Sequence, residues 1–486
     1  MKDKALQLLR IAIGIENGGF RPGQWEAIEA LTRRERLLVV ERTGWGKSIV
    51  YFLATRLLRD NGAGCTLLIS PLLALMRNQI QAARRIGVRA EPINSTNAKE
   101  WARVEVALRR GEVDVLLISP ERLANEDFVN NFLLPIAGRI GMLVVDEAHC
   151  ISDWGHDFRP DYRRIVRILR ALPPNIAALA TTATANDRVV ADIIEQLGPN
   201  LVAIRGPLTR ESLRLQNIHI PARAARLAWI ADHVPRLPGS GIIYTLTVRD
   251  AIVLALWLQT RGINAVAYHG RMESNERERL EDGLLRNEVK VLVATVALGM
   301  GFDKPDLGFV IHYQRPASVV HYYQQVGRAG RALGNAYGIL LSGSEDDAIA
   351  DYFIRTAFPS EAEVKQVLEV LDRAQAPLKM NALEEELNLT SSKLGQVIKF
   401  LLLESPAPIQ PTDQGFSRTA VRWAMPHDRI ARIEGLRRQE QQRMREYVNT
   451  RGCLMQFLSH ELNDPNAMPC GKCANCAEGL SSPWRK

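Results

Sequence analysis

The sequence predicts an α/β protein of two tandem lobes, each a parallel sheet covered by helices, followed by a small winged-helix-like region and a metal-binding module. Three observations predict it. Short apolar runs alternate with longer amphipathic stretches from Leu37 to Leu341, and runs without polar alternation are those of strands buried on both faces. The alternation breaks near Gly206–Ala225 and then resumes, which separates a first lobe from a second. Four of the six cysteines fall between residues 453 and 476, a clustering that suits a metal better than a disulfide framework.

Length and composition agree with that division. A chain of 486 residues holds roughly three domains at about 150 residues each. With 46% hydrophobic and 24% charged residues the composition is that of a folding globular protein, not of a disordered or collagen-like chain. No apolar stretch is long enough to span a bilayer, and the N-terminal segment Ala5–Ile15 is interrupted by Arg10 and lacks a small-residue cleavage site, so neither a membrane span nor a secretory signal is expected. A formal net charge of +8 favours a polyanionic partner, although a moderate positive excess also serves solubility.

In chain order, the strands of the first lobe are expected at Leu37–Val40, Thr66–Ser70, Val113–Ser119, Met142–Val145 and Ile176–Ala180. Those of the second are expected at Gly241–Tyr244, Ala265–Tyr268, Val291–Ala294, Phe309–His312 and Tyr337–Leu341. Beyond Pro359 the period changes. Val364, Val367, Leu368 and Leu371 recur at helical spacing, then Leu383–Leu389, then Leu394, Val397, Ile398, Leu401 and Leu402. Ile409–Gln410 and Arg418–Trp423 flank a turn at Asp413–Gly415 and read as a hairpin. Three helices and a hairpin form the winged-helix pattern, with Ser391–Leu403 as its recognition-type helix and Phe416 at the wing either wedging a base pair or packing inward. A plain helical spacer is the competing reading. A polar, Arg-rich helix is expected from His427 to Asn449. The expected divisions are residues 1–206, 207–357, 358–426 and 427–486.

The strongest local signal is Thr43-Gly44-Trp45-Gly46-Lys47-Ser48, between the strand Leu37–Val40 and the apolar-periodic segment Ile49–Leu58. Glycines let such a loop turn its N–H groups toward phosphate oxygens. Lys47 would neutralise the β/γ charge, and Ser48, at a helix N-terminus, would coordinate Mg²⁺. Hydrolysis also needs a carboxylate for the metal and a base for water. The strand Met142–Val145 ends in Asp146-Glu147-Ala148-His149, where Asp146 would serve Mg²⁺ and Glu147 the attacking water.

Further motifs surround these two: Phe20-Arg21-Pro22-Gly23-Gln24; Ser70-Pro71-Leu72-Leu73-Ala74-Leu75-Met76; Asn94-Ser95-Thr96; and Ser119-Pro120-Glu121-Arg122-Leu123. They continue with Cys150 through Pro160, with Val293 through Pro305, and with Tyr322-Tyr323-Gln324-Gln325-Val326-Gly327-Arg328-Ala329-Gly330-Arg331. Together they resemble the RecQ family of DNA helicases, within the DExH-type superfamily. The resemblance is dense over residues 15–355 and returns at the cysteine cluster.

It implies two RecA-like lobes, with ATP and Mg²⁺ as cofactors, and ATP-driven 3′→5′ translocation on single-stranded DNA with unwinding of duplex or forked DNA in recombination and repair. The alternatives are a DNA-dependent translocase that leaves strands paired, or an RNA helicase. Arg328 and Arg331 match the arginines that reach the γ-phosphate from the opposite lobe. Arg21 and Gln24 match the adenine-reading motif, and Thr43, Gly44, Trp45, Gly46, Lys47, Ser48 and Asp303 complete the nucleotide-binding set. Trp154, His156, Phe158, Arg159, Asn94 and Ser119 are the implied DNA-contacting residues. Single-strand-binding or other repair proteins are the implied partners, and a monomer in a bacterial cytoplasm, beside the nucleoid, is the implied setting. Three positions depart from the family pattern: Asn17 stands where an aromatic is usual, Trp45 where a small residue is common, and Gln325 where many relatives carry Glu. Trp45 either packs on the second lobe or buries its own face.

Cys453, Cys470, Cys473 and Cys476 give the spacing C-x16-C-x2-C-x2-C, which suits Zn²⁺ in a closed, structural, tetrahedral shell. An iron–sulfur cluster is the competitor. Most relatives place zinc before the winged helix; here the candidate winged helix comes first.

Overall fold

The computed structural model describes residues 1–71, 77–93, 100–152, 162, 164–299, 302–404 and 406–477. They divide into two compact units, one formed by Met1–Gly343 with Glu446–Lys486, the other by Ser344–Arg445.

The first unit contains both lobes. Its strands are β1 (Arg36–Val40), β2 (Cys65–Ile69), β3 (Ala90–Ile93), β4 (Val115–Ile118), β5 (Ile140–Val145), β6 (Ala177–Thr182), β7 (Leu201–Arg205), β8 (Leu213–His219), β9 (Ser240–Tyr244), β10 (Ala265–Tyr268), β11 (Val291–Ala294), β12 (Leu307–His312) and β13 (Ala336–Ser342). Among the described residues they form a seven-stranded sheet in the order β3-β4-β2-β5-β6-β1-β7 and a six-stranded sheet in the order β10-β11-β9-β12-β13-β8. Every pairing in both sheets is parallel. In the first sheet Leu38, Leu67, Ile69 and Leu143 enter the core on one face, while Leu37, Val39, Leu68 and Val144 enter the other. Alternate residues of one strand therefore feed two cores, as a sheet covered on both faces requires.

The strands expected in each lobe are present, Ala265–Tyr268 and Val291–Ala294 with the same boundaries and the others with boundaries moved by no more than two residues. Three strands without a sequence signal, β3, β7 and β8, lie at sheet edges. Edge strands are half-covered, so polar residues and even Pro92 are tolerated there and the continuous apolar run disappears. Because β8 occupies Leu213–His219, the expected break at Gly206–Ala225 shrinks to a short connection before that strand. After the helix Leu454–Glu461 the cysteine segment returns to this edge, where Ala474 N–H donates to Leu215 O at 2.9 Å.

The second unit holds the helices Glu361–Arg373, Met380–Glu386 and Ser391–Leu402, then an antiparallel hairpin of β14 (Ile409–Thr412) and β15 (Gly415–Arg418). Its core is Val364, Val367, Leu371, Leu383, Leu394, Val397, Leu401 and Ile409. Ser360 starts the first helix with a capping box to Glu363, two reciprocal bonds that satisfy N–H groups the helix leaves open. The second hairpin strand begins at Gly415, not at Arg418 as the flanking apolar residues suggest. Gly415 has φ +142°, and a Cβ there would stand 2.3 Å from Leu378 O; only glycine allows the approach that lets Phe416 exchange backbone hydrogen bonds with Leu378, at 2.8 and 2.9 Å. The Phe416 side chain packs against the core, the inward one of its two expected placements. The long helix spans His427–Asn449, the range expected. Among the described residues no helix is long and apolar enough to cross a membrane.

In the second lobe His312, on β12, is buried between the rings of Tyr244 and Tyr322, at centroid distances of 5.4 and 4.8 Å. Its Nε2 lies 2.6 Å from Gln325 Oε1. Burial pushes its pKa from 6.5 down to about 4. The folded state thus binds fewer protons than the unfolded chain between these values, so stability is lost as pH falls from 6.5 toward 4. Unfolding followed against pH is expected to show a loss on the order of 3 kcal/mol over that interval. His312→Phe should flatten the slope; an unchanged slope in the variant would assign the loss to other groups.

Candidate active site

The site is built at the carboxyl ends of β1, β5 and β6, where parallel sheets leave loops free to meet a ligand. After β1 the chain turns through Gly44 (φ +81°) and Gly46 (φ +98°) into the helix Lys47–Asp60. Lys47 Nζ donates to Glu41 O at 2.9 Å, and Ser48 follows in the first turn. Burial pushes the Lys47 ammonium down from its usual value, opposed by Glu147, Asp146 and Glu41, while Arg331 pushes it further down. Four predicted residues from three segments, Lys47, Asp146, Glu147 and Arg331, thus act on one another.

Asp146 is held from several directions. Its Oδ1 accepts from Thr181 Oγ1 at 2.6 Å and from Glu147 N–H at 3.1 Å, and its carbonyl accepts from Tyr162 OH at 2.9 Å. Glu147 has φ +50°, a left-handed conformation that costs a non-glycine residue about 1–3 kcal/mol and is retained where a side chain must be aimed. His149 Nδ1 stands 2.9 Å from Thr182 Oγ1 and 3.4 Å from Glu147 Oε2, tying Glu147 to the end of β6.

The second lobe supplies the facing wall. The Arg331 stem passes over the phosphate loop, for a Cβ at Gly44 would stand 3.4 Å from Arg331 Cγ. Its guanidinium pairs with Asp303 at 2.7 Å, and its buried Nε–H has no partner among the described residues. Arg328 is placed differently. It is buried within its own lobe, donating to Phe302 O at 3.1 Å and to Gly299 O. The structure therefore brings Arg331, and not Arg328, to the phosphate loop.

On the Arg21–Gln24 side of the loop, Gln24 Nε2 donates to Trp45 O at 2.8 Å and its Oε1 accepts from Arg21 N–H at 2.9 Å. Arg21 also donates to Gly44 O. Trp45 is buried in the first lobe, its Nε1 donating to Pro22 O at 3.1 Å; of its two expected placements, it buries its own face. A cavity of about 400 Å³ opens here, lined by Arg21, Gln24, Gly44, Gly46 and Ser48 on one side and by Asp282 and Asp303 on the other. Donors at the phosphate loop, an amide at the base position and an orphaned arginine N–H opposite suit a nucleoside triphosphate.

Ser119 follows β4 directly, at the N-cap position of the short helix Pro120–Ala124 and without a side-chain capping bond. Asn94, Trp154, His156, Phe158 and Arg159 lie outside the described residues. Several residues of the seam carried no motif signal of their own. Glu41 is buried with its carboxylate against Gly206, where a Cβ would clash at 1.8 Å, and burial pushes its pKa up to about 7. Arg210, inside the expected break Gly206–Ala225, and Asp464, inside the expected metal module 427–486, are the others.

Cys453, Cys470, Cys473 and Cys476 place their sulfurs within 4.8 Å of one another. Backbone N–H groups converge on them: Gln456 and Cys470 on Cys453, Lys472 and Cys473 on Cys470, and Leu454 on Cys473. Donors aimed at sulfur favour thiolate, the form that binds metal; the set fits a four-thiolate ion.

Residues 21–193 match the DEAD/DEAH box helicase model and residues 227–333 match the helicase conserved C-terminal domain. The chain is 37% identical over 334 residues to the ATP-dependent DNA helicase RecQ of Haemophilus influenzae, covering 68% of this chain and 52% of that protein. It is 36% identical over 338 residues to the ATP-dependent DNA helicase Q1 of Mus musculus, covering 67% of this chain and 51% of the relative. The chain thus spans about half the length of these relatives. Among solved structures, the Mycobacterium smegmatis helicase Lhr bound to ssDNA and AMP-PNP aligns with a TM-score of 0.58 at 20% identity, over 85% of this chain and 60% of that one, a likeness of fold. The motif set, the two matched helicase regions and these relatives agree: the chain belongs to the RecQ family of DEAD/DEAH-box helicases.

Proposed function

We propose that this chain hydrolyses ATP between its two lobes and uses the cycle to translocate 3′→5′ along single-stranded DNA, separating duplex or forked DNA in recombination and repair. The observation that carries the reading is the meeting of Lys47, Asp146 and Glu147 with Arg331 across the lobe boundary. Glycine N–H groups and Lys47 would bind the triphosphate, and Glu147, aimed by its backbone, would take a proton from the attacking water. Mg²⁺, held by Ser48 and Asp146, would neutralise charge between the β- and γ-phosphates. Arg331 would leave Asp303 to meet the γ-phosphate, which makes turnover conditional on closed lobes. Arg328, bonded to carbonyls at 299 and 302, would fix the loop that carries Asp303. Arg21 and Gln24 would select adenine.

The RecQ name of the relatives supports DNA as the track, as do the aromatic residues Trp154 and Phe158 close in sequence to Glu147; stacking on a base contributes about 1–3 kcal/mol. On this reading the working parts are residues 1–206 and 207–357 for the motor, 358–426 for a winged helix and 427–486 for the metal module. The chain works as a monomer in a bacterial cytoplasm, beside the nucleoid and in company with single-strand-binding and repair proteins. Zn²⁺ is the ion the four thiolates suit, and it would supply folding free energy to the small module and no chemistry of its own.

Lys47→Ala is expected to lower single-strand-stimulated ATP turnover by on the order of 10²-fold or more, and Arg331→Ala by about 10³-fold, measured beside strand separation on 3′-tailed, 5′-tailed and blunt duplexes. Turnover unchanged in Lys47→Ala would refute the enzyme reading. ATP turnover without strand separation would favour a translocase, and stimulation by RNA above DNA would favour an RNA helicase.

Elemental analysis is expected to find one Zn²⁺ per chain. Cys473→Ser should lose the ion and lower the unfolding temperature. Iron with its visible absorbance, or an unchanged unfolding temperature in a metal-free variant, would contradict the assignment.

A further inference from the structure

Residues 206–212, between β7 and β8, connect the two lobes, and their polar groups are bound from both sides. Leu208 N–H donates to Asp464 Oδ2 at 2.8 Å and Leu208 O accepts from Tyr323 OH at 2.7 Å. Thr209 O accepts from Arg42 Nη1 at 2.7 Å, and Ser212 Oγ donates to Gly330 O at 2.7 Å. Between these anchors stands Arg210, 5% exposed. Its Nη1 donates to Thr43 O at 3.1 Å, Thr43 Oγ1 at 2.9 Å and Gly327 O at 2.8 Å, and its Nη2 to Ala329 O at 2.9 Å. Thr43 belongs to the phosphate loop and Gly327–Ala329 to the segment that presents Arg331. One guanidinium thus bridges the two parts that must meet for hydrolysis.

Resting on the ATPase reading above, we infer that Arg210 is a positioning residue, a connection-borne staple that sets the register of the Arg331 segment against the phosphate loop. A planar guanidinium suits the task, because its two amino groups point in fixed directions and can hold two carbonyl sets at once, whereas an ammonium is a single donor centre. The neighbouring charges oppose burial here. Burial above all, with Arg331, Arg42 and Arg21 and against Tyr323, pushes its pKa down to about 10, which still leaves it charged at neutral pH. A buried cation kept among like charges, with three backbone oxygens and one hydroxyl as its acceptors, is costly, and the cost is offset if those oxygens must be held in place. Arg210 makes its bonds through Thr43 and Gly327–Ala329, so its effect is expected on the rate of turnover, with ground-state nucleotide binding left to the loop itself.

The test is a double-mutant cycle in the full chain with its metal bound. Arg210→Ala and Arg210→Lys are each made in the wild-type and Arg331→Ala backgrounds, and kcat, KM for ATP and equilibrium ADP affinity are measured. Arg210→Ala is expected to lower kcat by on the order of 10²-fold, with ADP affinity within about threefold and a smaller loss for Lys. In the Arg331→Ala background the same substitutions should change kcat little, because the staple acts through that arginine. Should Arg210→Ala fail to fold, Arg210→Lys, which keeps the buried charge, decides the matter on the same cycle. Near-normal kcat in a folded Arg210 variant would overturn the inference, as would a full, multiplicative loss on top of Arg331→Ala. A wild-type chain that does not hydrolyse ATP would instead overturn the ATPase reading.

Discussion

The two-lobed part of the chain depends on one close approach, that of the Thr43–Lys47 loop to the arginine-bearing segment of the other lobe. Thr43 Oγ1 donates to Gly327 O at 2.8 Å, and a Cβ at Gly327 would stand 2.6 Å from that hydroxyl. Two sheets are thereby locked at the ends where their loops carry chemistry. Thr43, Gly44 and Gly327 are chosen by this contact as much as by phosphate. The approach also brings charged groups of the two walls within reach of one another: Arg331 acts on Lys47, and Glu147 acts on Arg331.

Such a seam needs support from outside itself, and the chain supplies it from a distant segment. The stretch after the helix Leu454–Glu461 brings Asn463 to the start of the first-lobe helix Asp187–Leu197, where its Oδ1 accepts from Asp187 N–H at 3.1 Å, and Asp464 to the connection, where it accepts from Leu208 N–H. The cysteine segment docks on β8, with Lys472 Nζ donating to Glu211 O at 3.1 Å. The small four-cysteine module thus reaches the connection between the lobes through side chains that bond its backbone. Its distance in sequence from the phosphate loop conceals how near in space it lies to the residues that hold the loop.

The parts of this arrangement that were legible in the sequence are those where one local pattern has one physical meaning. Continuous apolar runs marked the interior strands because burial on both faces admits no alternation. The glycines at 44 and 46, followed by Lys47 at a helix start, marked the phosphate loop because only glycine takes those backbone angles easily. What escaped notice depends on neighbours from elsewhere in the chain. β3, β7 and β8 sit at sheet edges and carry polar residues. Arg210 lay within a stretch that read as a break, since a lone arginine between Thr209 and Glu211 looks like any solvated residue until its four acceptors are known. Arg328 and Arg331 are three apart and looked equivalent, yet the turn at Gly330 (φ +69°) sends one into its own lobe and the other across the seam. Trp45 looked out of place beside phosphates; its ring turns instead beneath Pro22 and Gly23, bracing the loop that carries Gln24.

The most direct measurement is a structure of the chain with single-stranded DNA and ADP–aluminium fluoride, a mimic of the phosphoryl group in transit. The account predicts that Arg331 releases Asp303 and places its guanidinium within hydrogen-bonding distance of the fluoroaluminate, while Thr43 and Gly327 stay in contact. Arg331 still paired to Asp303, with the phosphate loop and Gly327 drawn apart around the bound analogue, would contradict it.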